Sequence, residues 1–111
     1  MDEKFKALVV GLILNGNAEE ALGLLAEHYG VDVPRLRVGL PKGRRKVFGC
    51  YVARSGMICV LNGDVLREPF VVLHEFYHHL RTALDGRHRG AERFADEFAR
   101  EFVEAYKLMV R

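Results

Sequence analysis

Residues 71–80 read VVLHEFYHHL, and the fold turns on what this apolar run with histidines and a glutamate is. On a helix, His74 and His78 stand four residues apart, about 40° in projection, so both imidazoles lean toward one point in space. Val72, Phe76, Leu80 and Ala83 fall on the far side. The pattern therefore predicts a helix whose back enters the core and whose histidine face looks into a cleft. Pro69 suits its first turn, the helix runs to about Leu84, and Gly86 lies just past its end. Glu75 sits about 100° round from His74, placed to reach a metal-activated water rather than the metal itself. That is the position of a general base.

Two histidines do not complete a catalytic zinc site, which takes three protein ligands and keeps a fourth position open. The segment GAERFADEFA, residues 90–99, offers Glu92 in the first turn of a second helix. Asp96 follows four residues later on the same face, able to accept a hydrogen bond from the outer nitrogen of a ligand histidine and fix its tautomer. Ala95 and Ala99 are small enough to let the two helices approach closely, and the loop 85–90 is short enough to make them antiparallel. Glu97 and Glu101 are the rivals to Glu92 as third ligand, but on this helix they read as solvent-facing partners of Arg93, Arg100 and their neighbours. Phe94, Phe98 and Phe102 read as core, and His28, His79 and His88 as surface or satisfied core residues.

Working outward, the N-terminal helix carries Phe5, Leu8, Val9, Leu12 and Ile13 at the spacing of one buried face. Lys4, Lys6 and the apolar run after them resemble a short signal peptide, but Asp2 and Glu3 dilute the basic region, so a core helix is expected. The run is far below the ~20 residues that span a bilayer. Gly16 suits a helix C-terminus. Asn17 opens a second helix with Glu20 as its capping-box partner, and Gly30 closes it. Residues 35–40, 46–54 and 57–61 read as three short strands, separated by Pro41-Lys42-Gly43 and Ser55-Gly56. The last helix spans about 90–107, with Ala91, Phe94, Ala95, Phe98, Phe102 and Tyr106 on one stripe. The expectation is an α+β fold: a small three-stranded antiparallel sheet arranged as a meander, two N-terminal helices, the histidine helix and a C-terminal glutamate helix.

Length and charge bound the rest. At 111 residues and 50% hydrophobic, the chain fits one domain, residues 1–111, whose core removes roughly 65% of the unfolded surface from water. The formal charge of +2, from 17 basic and 15 acidic residues, is too balanced to make nucleic acid or an anionic membrane the default partner. Lys42, Arg44, Arg45 and Lys46 read as a solvated hairpin loop. Cys50 and Cys59 are too few for a disulfide framework. A two-residue turn at Ser55-Gly56 would make them diagonal neighbours, too far apart to bridge, so free thiols and a cytoplasmic location are expected.

His74-Glu75-Phe76-Tyr77-His78, followed by E-x-x-A-D-E-F-A from Glu92 to Ala99, resembles the gluzincin zinc metallopeptidases. Among them it is similar to the compact ImmA/IrrE-type proteins and the stand-alone minigluzincins. The likeness extends upstream through AEEALGLLAEHYGVDVPRLRV and covers residues 18–103, although only the two zinc motifs are specific. It implies a minimal zincin-like metallopeptidase domain in which His74, His78 and Glu92 hold zinc (Zn2+), Glu75 is the base and Asp96 supports a ligand. Peptide or protein substrate would lie along an edge strand, with Met57, Ile58, Cys59, Val60 and Leu61 as the candidate. The oxyanion donor stays open among Tyr51, Tyr77, His79, His88 and Tyr106. The alternative implied by the resemblance is a regulatory protein that binds or cleaves one dedicated partner, such as a repressor or antitoxin.

The C-terminal AYKLMVR keeps Tyr106, Leu108, Met109 and Val110 apolar. It is expected either to pack against the first helix or to block the zinc cleft of its own or a neighbouring chain, which would make the protein a latent homo-oligomer.

Overall fold

Asp2 starts the first helix by accepting the Phe5 backbone N–H at 2.7 Å, a cap that the sequence reading left unused. This computed structural model describes residues 2–85 and 92–110. In chain order the elements are α1 (Glu3–Leu14), α2 (Ala18–Tyr29), β1 (Arg35–Val38), β2 (Gly49–Val52), β3 (Met57–Val60), α3 (Pro69–Asp85) and α4 (Glu92–Met109). Single 3₁₀ turns at Ala53–Ser55 and Val65–Arg67 sit between them. The fold is α+β, and the expectations for Gly86, His88, Gly90 and Ala91 fall outside the described residues.

The N-terminal run is a core helix. Val9, Val10 and Ile13 of α1 join Leu22 and Leu25 of α2, Ile58 and Val60 of β3, Val72, Leu73 and Phe76 of α3, and Phe102 of α4 in one buried cluster. Each large apolar side chain so buried contributes about 1.5–3 kcal/mol. Leu8, expected on the buried face, is exposed, and Val10 takes its place. The capping box also fails: Asn17 is the N-cap of α2 but makes no side-chain cap hydrogen bond. The C-terminus of α2 is as expected, with Gly30 in the left-handed conformation at φ 72°.

The antiparallel meander is corrected to a mixed sheet of order β1-β3-β2, with β1 parallel and β2 antiparallel to β3. Burial explains the order. Ile58, Cys59 and Val60 of β3 are all buried and take the centre, whereas β1 is exposed at three of its four positions and suits an edge. The connection 39–48 then arches past the end of β3. It is pinned there by Gly39 N–H donating to the Val60 carbonyl at 2.7 Å and Leu61 N–H donating to the Phe48 carbonyl at 2.8 Å.

Two expectations fall with the meander. Met57, Ile58, Cys59 and Val60 are not an edge, because β3 is paired on both sides, and Leu61 lies just beyond it; the edges are β1 and β2. The thiols are not diagonal either. The β2–β3 turn is longer than two residues, running through the 3₁₀ turn to Gly56 at φ 62°, and this register puts Cys50 directly opposite Cys59. Both are free and buried.

Helix α4 continues to Met109 and packs chiefly on α1, where Tyr106 lies 3.7 Å from the position a Gly11 Cβ would take. Tyr106 therefore packs on the α1 side, whereas Leu108, Met109 and Val110 beyond it are exposed and line no part of the cleft that holds Glu75. Phe94, expected in the α4 stripe, is exposed, while Ala95, Ala99, Phe102 and Ala105 are buried. Ala83 is likewise exposed rather than part of the α3 back. Among the described residues no helix is long and apolar enough to cross a membrane.

Candidate metal centre

Helix α3 keeps two faces, as the spacing predicts. Val72, Phe76 and Leu80 are buried behind it, and His74, Glu75 and His78 face forward. Helix α4 runs against it over Ala95 and Ala99, both fully buried, so the small residues do permit the close approach. That approach brings Glu92 over the histidines.

The three expected ligands converge. His74 Nε2 lies 3.3 Å from His78 Nε2 and 3.2 Å from Glu92 Oε2, and His78 Nε2 lies 2.6 Å from Glu92 Oε1. One ligand atom from each residue falls within 4.8 Å of the others, so His74, His78 and Glu92 form a group that can hold a metal ion. Bonds of about 2.05 Å to a tetrahedral zinc would set its ligand atoms about 3.3 Å apart, which the two contacts of His74 match. The tautomer agrees. His74 Nδ1 donates to Asp96 Oδ1 at 2.8 Å, which leaves the Nε2 lone pair pointing at the cluster. Asp96 thus holds the ring where its spacing from Glu92 suggested.

Glu75 is buried to 7% exposure in the wall of the same cleft. Burial raises its carboxyl to about 7; the His74 ring opposes that shift, Glu92 adds to it, and Arg44 opposes it. The opposite wall is β2, and Gly49 sets its distance. A Cβ there would stand 2.9 Å from Val71 Cγ1, 3.2 Å from the Cys59 carbonyl oxygen and 3.4 Å from Glu75 Cγ. Only a residue without a side chain lets the strand lie this close to the base. A glycine inside a predicted strand was the available signal, since it marks close backbone approach.

The cleft between these walls has a volume of about 460 Å3 and is also lined by Arg44, Cys50 and Tyr51. Burial, then the adjacent Cys59, pushes the Cys50 thiol up. Of the oxyanion candidates, Tyr51 alone among the described residues lines the cleft. Its Oη is 2.8 Å from His79 Nδ1, and His79 Nε2 donates to the Asp32 carbonyl at 2.7 Å. A carbonyl only accepts, so in the neutral ring Nδ1 accepts from Tyr51. His79 is therefore a satisfied core histidine that anchors Tyr51. Tyr77 packs on Phe98 and His78, Tyr106 lies on the α1 side, and His88 is outside the described residues. Comparison of the chain with protein-family models, with curated proteins and with solved structures returns no match.

Proposed function

We propose that this chain is a metal-dependent peptidase of the gluzincin type, with zinc as the ion that its two imidazoles and one carboxylate suit. The observation that supports it is the convergence of His74, His78 and Glu92 on one point, with Glu75 beside them in a cleft open along a strand edge. Zinc, when bound, would supply a Lewis acid that polarises the scissile carbonyl and makes water more acidic. The protein's own residues do the rest. Glu75 takes the proton of the attacking water and returns it to the leaving amine. Asp96 keeps His74 in its ligand tautomer, and the β2 edge offers free backbone groups to an extended peptide.

Metal analysis paired with cleavage of a peptide library tests this reading. Wild type should bind about one zinc per chain and hydrolyse peptides, and Glu75→Gln should bind zinc equally while losing on the order of 10²–10⁴ in rate. Undiminished hydrolysis by Glu75→Gln would remove the base from its role, and a chain that takes up no zinc would remove the centre itself.

One observation favours a second reading, a regulatory protein directed at a single partner. Exposed Phe48, Leu61 and Phe70 line an apolar groove beside the N-terminal end of α3, a surface that suits a folded protein better than assorted peptides. Turnover of one folded protein without turnover of unfolded peptides would select it.

A further inference from the structure

The cleft has two ends of opposite sign. Glu75, Glu92 and Asp96 crowd the ligand end, whereas Arg44, from the connection 39–48, lines the same cleft from the side of β2. The guanidinium makes no ion pair and no side-chain hydrogen bond among the described residues. Nothing in its own segment compensates it: residues 40–48 carry Lys42, Arg44, Arg45 and Lys46 and no acid. All four cations are exposed, so their combined potential faces solvent and the cleft mouth.

The loop is also shaped rather than slack. Lys46 is the one non-glycine at positive φ among the described residues, at 60°, and this left-handed residue sits directly before Val47, which turns into the cleft wall. A non-glycine held there is strained and persists only where its surroundings impose it.

We propose that Arg44 makes the outer end of the cleft a receptor for a carboxylate carried by the bound peptide, either an acidic side chain or a free C-terminus. The inference rests on the peptidase reading for what occupies the cleft. A forked guanidinium matches a carboxylate through two parallel hydrogen bonds, which gives orientation as well as attraction. A peptide added along the β2 edge would pass the ligands His78 and Glu92 as well as Arg44, which line one cleft.

The test uses fluorescent peptides of one sequence, with Glu or Gln beside the central bond and ending as an acid or an amide. Binding to the zinc-loaded Glu75→Gln protein is read by anisotropy, and cleavage by zinc-loaded wild type is read in parallel. Carboxylated peptides should bind on the order of fivefold tighter than neutral ones, with the margin shrinking as salt is added. The Glu/Gln pair and the acid/amide pair show which carboxylate is read. Arg44→Ala should erase the margin, and Arg44→Glu should transfer it to a peptide carrying Lys. Equal binding of charged and neutral peptides overturns the proposal, as does an Arg44→Ala loss that is the same for both. If Arg44-dependent binding holds but wild type cleaves no peptide, the receptor stands and the peptidase reading falls; cleavage blind to charge gives the reverse.

Discussion

The two walls of the cleft are built by different physics. The α3–α4 wall is part of the core: the helices that carry His74, Glu75, His78 and Glu92 bury Phe76 and Phe102 on their other faces. The β2 wall is thin. It is an edge strand of four residues, held by pairing to β3 on one side and kept close to α3 by the missing side chain of Gly49. On the proposed reading, the two imidazoles that would hold a metal sit on the wall anchored in the core. The groups that would meet the rest of a peptide sit on the edge strand, where change costs less stability.

Three measurements can break or sharpen that contrast, in descending order of effect. The first loads the helical wall alone. Asp96→Ala should weaken zinc binding by 10–100-fold, because His74 loses the acceptor that fixes its tautomer. Competition with a chelator measures it, and unchanged affinity would make Asp96 a surface acid that happens to lie near the ring.

The second probes the floor on which the helical wall stands. Tyr29 packs against Phe76 and Phe98, and burial first, then the Glu101 charge, pushes its hydroxyl up to about 12. The folded state thus holds this proton more tightly than the unfolded chain does. Its contribution is complete below pH 10 and is lost as pH rises through about 12, by on the order of 1–2 kcal/mol given its partial exposure. Chemical denaturation of wild type and Tyr29→Phe across that range should show a shallower alkaline decline in the variant. Identical slopes would mean that the ring is ionised at no cost.

The third loads the strand wall. Gly49→Ala should cost about 1–2 kcal/mol, because the added methyl meets a Val71 branch held in one helical rotamer and the Cys59 carbonyl oxygen. Zinc affinity should stay as it is while peptide turnover falls, since the cleft opens but the ligands do not shift. A variant that loses zinc in proportion to turnover would show the two walls to be one unit.

The same contrast explains what the sequence disclosed. The histidine helix, its buried back and the pairing of Glu92 with Asp96 follow from helical periodicity, a local rule that spaces residues the same way wherever a helix forms. Hydrophobic spacing likewise marked α1 as core. Strand direction has no such local code. Residues 35–38 alternate as RLRV whereas 57–61 run apolar as MICVL, a contrast that marks the second as the buried central strand; that β1 pairs with it in parallel is written in neither segment. The mistaken edge strand descends from the strand order, whereas the misplaced cysteine register comes from the 3₁₀ turn that lengthens the β2–β3 connection. Arg44 was hidden for a related reason: a cation in a charged loop looks solvated until the chain's path brings it to a cleft.

The mixed sheet also orders events in time. The β2–β3 hairpin closes over one short turn, whereas β1 must close a longer stretch of chain to pair in parallel with β3, so loop-closure entropy favours the hairpin first. Formation of β1 is therefore expected late on the way to the native state. Leu36→Ala should then speed unfolding with little change in the folding rate, the signature of a strand that docks after the barrier is crossed.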